Sequence, residues 1–251
     1  MSMVNDDIEE HDEGYFASFT DLLVGILFVF IILLMVFVSN MNKQTQETRE
    51  ATEAITGMTE SRNKVLEEIQ RSLEQSGVMV TVDTKQGILR LPESVLFDIG
   101  KYELNPNGVT ALTHLALVLT RYLPCLASNK APDLTIEATC DAMQLKSRDG
   151  LETLLIEGHT DHLGSDRGFD NWGLSARRAI SVFQQITRAA PELDNGIVNT
   201  QHLPVLAVSG YEARRPVSTT DLKPNRRIDL RFIMRSPTPQ DVERLQNVVR
   251  E

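Results

Sequence analysis

The chain has 251 residues, 41% of them hydrophobic, and a formal net charge of −10. This balance argues against a nucleic-acid-binding surface, which would need clustered Lys and Arg. Beyond the N-terminal apolar stretch and the polar segment that follows it, about 175 residues remain, enough for one domain with a hydrophobic core.

The first segment, residues 1–14, is polar and acidic. Six acidic residues and no Lys or Arg fall within the first 20 positions. A secretory signal needs a basic start and a small-residue cleavage site, and this segment has neither. We therefore interpret the apolar stretch after it as an uncleaved anchor.

Residues 15–39 are predicted to form a single transmembrane helix. Residues 22–38 carry no charge and no proline, and with residues 16–20 they cover about 33 Å of helix, against a bilayer core of about 30 Å. Asp21 lies inside this span. Because a carboxylate in hydrocarbon costs roughly 2.5–3.5 kcal/mol, we interpret Asp21 as a proton or cation site facing protein or water. The alternative is that Asp21 lies at the membrane edge.

The residues around Asp21 indicate a partner helix and leave the orientation open. Gly25 follows Asp21 by one helical turn, with Ser18 and Thr20 nearby, and small residues let another helix approach closely. The nearest basic residues, Lys43 and Arg49, follow the span. Taken alone, the positive-inside rule places the C-terminal side in the cytoplasm.

Residues 40–76 form a polar linker with an apolar stripe at spacings of mostly three and four, which predicts a helix. The stripe consists of Ala51, Ile55, Met58, Val65, Ile69 and Leu73. Two alternatives fit this pattern: a short parallel coiled coil between two copies of the chain, or a single solvated helix.

Residues 77–236 are predicted to form one α+β domain with a mixed sheet packed by helices. Alternating segments around Gly87 indicate a β-hairpin, and Asn105 followed by Pro106 is typical of a helix start. The remaining elements are a strand at 154–158, a helix at 174–190, and strands at 205–208 and 228–233. Their order predicts helices on one face of the sheet. Residues 237–251 are predicted to be a polar, amphipathic helical tail.

Residues 124–150 have no regular pattern and are predicted to be an insertion. They contain the chain's two cysteines, Cys125 and Cys140. The pair is compatible with one disulfide in an oxidising compartment or with two unrelated buried thiols. A periplasmic location of the domain would favour the disulfide.

Four sequence blocks then resemble one known family, the peptidoglycan-binding C-terminal domain of OmpA. The blocks, in order, are residues 157–161 (EGHTD), 171–179 (NWGLSARRA), 210–212 (GYE) and 225–228 (NRRI). The resemblance covers about residues 78–235. The segment between Asp161 and Ser175 is about two residues longer than is usual in the family. The ligand-loop contacts of residues 164–169 therefore do not carry over directly from the family.

The resemblance implies that the ligand is a peptidoglycan stem peptide. Diaminopimelate presents a carboxylate beside an ammonium, so an arginine and an acid held side by side would neutralise both. Asp161 and Arg178 are the principal pair implied. The residues implied to surround them are Thr160, Asn171, Leu174, Arg226 and Arg227.

The motif blocks do not suggest enzymatic chemistry or a bound cofactor. His159 and His162 flank Asp161, but no cysteine or further histidine lies at a metal-ligand spacing. We interpret His159 as a histidine at a strand end. The sequence also has no separate nucleophile–base arrangement and no Gly-rich phosphate loop, so a binding module is expected rather than an enzyme.

The whole layout resembles a second family, the B subunits of ion-driven stators such as MotB. Residues 18–22 (SFTDL) resemble the short motif around the ion-carrying Asp of that family. The resemblance implies a homodimer inside a ring of five multi-span A subunits, with protons or sodium ions crossing at Asp21. It also implies an inner-membrane protein with a cytoplasmic N-terminus and a periplasmic, peptidoglycan-bound domain.

The acidic N-terminal tail departs from the flagellar pattern, in which that tail is usually basic. This feature and the Phe- and Ile-rich run after Gly25 resemble the B subunits of Zorya anti-phage defence motors. A defence motor is therefore the expected function. The alternatives are a flagellar or gliding stator, and a structural wall tether in which Asp21 carries no ion.

Overall fold

The computed structural model describes residues 6–129, 134–163 and 170–238. The chain divides into two compact units, residues 1–52 and residues 53–251. The residues of the predicted tail from 239 onward and the ligand-loop residues 164–169 lie outside the described part of the chain.

The first unit consists of the N-terminal part of helix α1, which runs over Asp6–Gln75. An 18-residue window of this helix has a mean hydropathy of 3.2, and none of that window is buried. By length and composition, α1 is the one helix in the described residues able to cross a membrane. Asp21 is exposed on it, among exposed Leu and Phe side chains.

The second unit is an α+β domain, as expected. Its strands are β1 (Thr81–Asp83), β2 (Ile88–Pro92), β3 (Ser128–Asn129), β4 (Leu151–His159), β5 (Ile197–Val198), β6 (Leu206–Gly210) and β7 (Arg227–Met234). Its further helices are α2 (Glu93–Leu96), α3 (Pro106–Tyr122), α4 (Leu134–Ala142), α5 (Asn171–Ala189) and α6 (Glu192–Asn195).

Five strands form a mixed sheet in the order β1-β2-β7-β4-β6. Strand β7 lies at its centre and pairs antiparallel with both β2 and β4. Strands β4 and β6 are parallel, and helix α5 forms the crossover between them and packs on both. Strands β3 and β5 form a separate two-stranded sheet.

The C-terminal part of α1, within the second unit, belongs to the domain's hydrophobic core. Val65, Leu66, Ile69 and Leu73 are fully buried and share one cluster with residues of β2, α3, β4 and β7. Met58 is also buried, whereas Ile55 is half exposed. Most of the apolar stripe predicted for the linker is thus covered by the domain of the same chain.

Local capping explains where the two main helices begin. Asn105 caps α3, and its side chain accepts a hydrogen bond from the Gly108 nitrogen at 2.7 Å. Helix α5 begins at Asn171, three residues before the predicted start. The side chain of Asp170 accepts from the Gly173 nitrogen at 2.7 Å and allows this earlier start.

The segment predicted to be an irregular insertion contains helix α4, so that expectation was partly wrong. Cys125 and Cys140 are bonded to each other, with their Cα atoms 5.2 Å apart. Both residues are buried in the core cluster. The disulfide therefore ties α4 to the 3-10 turn that follows α3, across a sequence separation of 15 residues.

Candidate functional site

A pair of glycines brings helix α5 close to the ends of β4 and β6. Gly158 and Gly210 are register partners in these parallel strands. A Cβ atom at Gly158 would lie 2.0 Å from the Ser175 carbonyl oxygen, and one at Gly210 would lie 2.7 Å from the Ala176 nitrogen. Only glycine fits at these two positions. Because neither glycine has a side chain, the first turns of α5 can pack directly against the two strands.

Asp161 lies two residues after the end of β4 and is held by hydrogen bonds to nearby groups. Its Oδ1 accepts from the Leu163 nitrogen at 3.0 Å, and its carbonyl oxygen accepts from the Asn171 side-chain amide at 3.0 Å. Asp161 is only 5% exposed. Asn171 thereby fixes the start of α5 against the strand end that carries Asp161.

Two charged residues, Arg226 and Glu93, connect Asp161 to Arg178. Arg226 donates from Nη1 to Asp161 Oδ2 at 2.6 Å and pairs through Nε with Glu93 Oε2 at 2.8 Å. Glu93 in turn accepts a hydrogen bond from Arg178. The order Asp161–Arg226–Glu93–Arg178 alternates negative and positive charges, and we call these four residues the charge chain. Its formal charge is zero.

The two arginines of the charge chain differ in accessibility. The Arg178 side chain is 2% exposed, and its Nε donates to the Lys101 carbonyl oxygen at 2.8 Å. Burial lowers the pKa of Arg178, and the neighbouring Glu93 opposes that shift. The Arg226 side chain is 32% exposed, and hydrogen bonding to Asp161 raises its pKa. The guanidinium that solvent can reach is therefore that of Arg226.

The predicted site residues other than Arg227 occupy three situations. Asp161, Asn171, Arg178 and Arg226 lie together as described. Leu174 is buried at the first turns of α5. Thr160 donates its backbone N–H to the Glu212 carbonyl oxygen, and its buried hydroxyl has no hydrogen-bond partner among the described residues.

Arg227 belongs to a second charged cluster, inside the sheet. It donates to Asp229 Oδ2 at 2.9 Å, and Arg90 pairs with the same carboxylate at 2.9 Å. Arg231 binds Glu157 through two hydrogen bonds of 2.7 and 2.9 Å. Burial would raise the pKa of Glu157, but His159 and these bonds from Arg231 lower it to about 2.

His159 lies in the middle of this cluster. Its Nε2 is 3.5 Å from Glu157 and 3.7 Å from Asp229, and neither ring nitrogen has a hydrogen-bond partner in the described residues. Arg231, with its shorter bonds, is therefore the main partner of Glu157. The His159 ring stacks on Tyr211, and burial lowers its pKa, so it is neutral near pH 7.

The ligand atoms of Glu157, His159 and Asp229 all lie within 4.8 Å of one another, a spacing compatible with a metal ion. However, both carboxylates already accept hydrogen bonds from arginines, and three guanidinium groups face two carboxylates. A divalent cation would add to an excess of positive charge in a buried region. We interpret the cluster as a structural ion-pair network.

An open groove of about 960 Å³ adjoins the charge chain on the side of β2. Its lining includes Glu93 and Arg226 of the charge chain, the apolar side chains of Phe97 and Ile99, and the cationic Lys101. Glu93 and Arg226 thus form part of the wall of a recess large enough for a small peptide or saccharide fragment.

Sequence reasoning missed Glu93. This acid follows the last residue of β2 and is 7% exposed. Its partner Arg178 lies 85 residues further along the chain. The available signal was an acidic residue two positions before the apolar run Val95–Phe97, since a buried acid requires a cationic partner.

The sequence profile of the OmpA family matches residues 96–229. The match spans more than half of the chain, and the chain therefore belongs to the OmpA family. This confirms the family predicted from the four sequence blocks. No curated protein matches the sequence.

Several solved structures are similar to the chain. A MotB-like protein from Desulfovibrio vulgaris is 22% identical, with a TM-score of 0.48, over 74% of this chain and 99% of the other. The periplasmic domain of Helicobacter pylori MotB is 18% identical, with a TM-score of 0.40, over 64% and 83% of the two chains. The cell wall anchor of the T6SS from Pseudomonas aeruginosa is 15% identical, with a TM-score of 0.43, over 69% and 99%.

Proposed function

We propose that the domain anchors the chain to peptidoglycan through the charge chain. The observation that carries this proposal is the alternation of charge along Asp161, Arg226, Glu93 and Arg178, of which Arg226 and Glu93 line an open groove. A diaminopimelate residue carries a carboxylate beside an ammonium. Its two groups can therefore take the place of ion-pair partners within the charge chain without changing the net charge of the site.

The accessibility of the four residues assigns their roles. The ligand carboxylate binds Arg226, the more exposed arginine, and the ligand ammonium binds Asp161. Arg178 meets the ligand carboxylate when Glu93 moves away, and otherwise positions Glu93. Thr160 and Asn171 line the part of the site around Asp161, and the buried Leu174 supports that part. Arg227 stabilises the sheet next to Arg226. No cofactor takes part.

Sedimentation with purified peptidoglycan tests the anchor. The full chain in detergent should sediment with the polymer, and Asp161→Asn and Arg226→Ala should each reduce the bound fraction strongly, since each leaves one ligand charge unpaired. Arg71→Ala, at an exposed ion pair on α1, is the matched control and should bind as the unaltered chain does. Unchanged sedimentation of both site variants would place the binding site elsewhere.

We further propose that the chain is the B subunit of an ion-driven motor. The supporting observation is Asp21, a carboxylate exposed on the one candidate span of the described residues. In this proposal a homodimer of the chain lies inside a ring of five multi-span A subunits, and protons or sodium ions cross at Asp21. The N-terminus is cytoplasmic and the domain periplasmic in the bacterial inner membrane, because a wall-binding domain must face the wall. Lys43 and Arg49 are too few to outweigh that requirement.

The output we propose is anti-phage defence by a Zorya-like motor, which the acidic N-terminal segment favours. A flagellar or gliding stator is the same machine with another output. Neighbouring genes separate them: helicase or nuclease genes accompany a defence motor, and chemotaxis genes accompany a flagellar one. Co-purification from membranes tests the motor itself. A multi-span subunit in excess over this chain is expected, and its absence would leave a wall tether.

A further inference from the structure

We propose that Trp172 is a stacking platform for an amino-sugar ring of the glycan strand, beside the pocket for the stem peptide. This inference rests on the proposed peptidoglycan anchor and extends it from the peptide to the saccharide. Trp172 is the only tryptophan of the chain and is 44% exposed, although tryptophan is usually well buried.

The position of Trp172 connects it to the charge chain. It follows Asn171, whose side-chain amide donates to the Asp161 carbonyl oxygen at 3.0 Å and lies 3.4 Å from the Leu163 carbonyl oxygen. Leu163 is itself 58% exposed. An exposed indole and an exposed aliphatic side chain thus border the Asp161 side of the site. Apolar side chains beside a few polar groups are the usual composition of ligand-binding surfaces, which is consistent with the proposed platform.

The charges around Trp172 favour an uncharged ligand. The Arg214 guanidinium lies over the indole, 5.2 Å from the ring centroid, and its side chain is 70% exposed. Glu212 approaches Arg214 at 3.5 Å, so the two charges compensate each other. The surface therefore combines an exposed indole with planar hydrogen-bond donors, and its Arg214–Glu212 pair carries no net charge. An N-acetylated sugar presents the complementary features, a flat C–H face for the ring and hydroxyl and amide oxygens for the guanidinium.

The covalent structure of peptidoglycan agrees with this arrangement. The diaminopimelate residue is the third of the stem peptide, so the sugar lies within about 10 Å of it along an extended chain. Trp172 is one residue from Asn171, and consecutive Cα atoms are about 3.8 Å apart. A ligand whose diaminopimelate contacts Asp161 and Arg226 can therefore place its sugar on Trp172.

Calorimetric titration of the full chain in detergent tests this inference, with the free stem tripeptide and the disaccharide–tripeptide as probes. The unaltered chain should bind the disaccharide–tripeptide roughly threefold to tenfold more tightly than the tripeptide. Trp172→Ala should abolish this difference while keeping the tripeptide affinity. Trp172→Phe, which keeps an aromatic face, should retain part of it. Leu134→Ala, at an exposed apolar residue on α4, is the control and should keep all of it.

Intrinsic fluorescence gives a second readout, because Trp172 is the only tryptophan. Addition of a chitin disaccharide alone should change its emission. An undiminished disaccharide preference in Trp172→Ala, or an equal loss of tripeptide and disaccharide–tripeptide affinity, would overturn the inference. Failure of the tripeptide to bind the unaltered chain, with a disaccharide response intact, would instead overturn the peptide pocket of the proposed anchor. No response to any saccharide would overturn the sugar platform.

Discussion

The two aspartates that carry the proposed functions lie in opposite surroundings. Asp21 is exposed on an apolar helix, among exposed Leu and Phe side chains. Asp161 is buried at a strand end, and Arg226 neutralises it at 2.6 Å. Asp161 therefore has its cationic partner within the same domain, whereas Asp21, if α1 spans a membrane as proposed, presents a charge that lipid cannot solvate. In that case Asp21 would need protein or water beside it, which Asp161 does not.

The largest effect is expected at Asp21. Asp21→Asn keeps the size and hydrogen bonding of the side chain but cannot release a proton, so biological activity should be abolished while membrane insertion and assembly stay normal. Activity and membrane fractionation in cells measure the two separately. Met35→Leu, at an exposed apolar residue further along the same helix, is a control for helix substitution as such. Full activity of the Asn variant would remove the contrast between the two regions.

Next in size is the loss of the buried pair at Arg178. Arg178→Ala leaves Glu93 with only one arginine in a buried position, and breaking such pairs costs about 3–5 kcal/mol. Lys101→Ala breaks the exposed pair between Lys101 and Asp98 and should cost less than about 1 kcal/mol. Urea denaturation followed by circular dichroism measures both. Equal costs would mean that Arg178 is not a structural part of the charge chain.

The disulfide is expected to have a somewhat smaller effect. The closed loop has a sequence separation of 15 residues, which corresponds to about 3 kcal/mol in the chain-entropy model. Reducing agent should lower the free energy of unfolding of the unaltered chain by about that amount. It should leave a chain with serine at both positions unchanged. Two free thiols in protein taken directly from cells would contradict both the bond and the periplasmic location.

The smallest effect concerns pH and the cluster in the sheet. The pKa of His159 is lowered from 6.5, and that of Glu157 falls from 4.5 to about 2. Both groups bind fewer protons in the folded chain than in the unfolded one. Their stabilisation is complete above the unfolded values and is lost as the pH falls, below 6.5 for His159 and between 4.5 and about 2 for Glu157.

A variant separates the histidine from the carboxylate. His159→Phe keeps a ring on Tyr211 and removes one proton-binding group, so it should flatten the loss of stability just below pH 6.5 by at most about 1.4 kcal/mol per pH unit. His114→Gln, on α3, serves as the control. Denaturation at a series of pH values provides the measurement. An unchanged slope in His159→Phe would assign the acid sensitivity to other groups.

The sequence allowed the order of the main elements, the family and most of the candidate site residues to be predicted. The elements could be predicted because their signals are local in sequence. These signals are the spacing of apolar residues, every second residue in strands and every third or fourth in helices, and the pair Asn105 and Pro106 at the start of α3. The early start of α5 was missed because Gly173 resembles a helix breaker, while the cap at Asp170 depends on the backbone geometry that follows it. Helix α4 was missed because it has no strong apolar face of its own.

The pairing of the charged side chains in the site could not be predicted from local sequence in the same way. Arg226 and Arg227 are neighbours in sequence, yet one binds Asp161 and the other Asp229. Their separation follows from the alternation of side chains along an extended strand, which sends consecutive residues to opposite sides. Glu93 is brought to Arg178 by the pairing of β2 with β7 and by the packing of α5. Contacts between residues so far apart in sequence form only when the sheet is assembled, so no local sequence pattern predicts them.

The central position of β7 has a mechanical consequence for a wall anchor. Arg226 directly precedes β7, whose register pairs with β2 on one side extend over Ile88–Pro92 and with β4 on the other over Leu151–His159. A pull on Arg226 along the strand therefore shears both ladders at once and does not unzip them one bond at a time. Under the proposed anchoring, tension applied at Arg226 would be shared by many hydrogen bonds in parallel, so the strand next to the proposed ligand contact would also resist extraction most strongly.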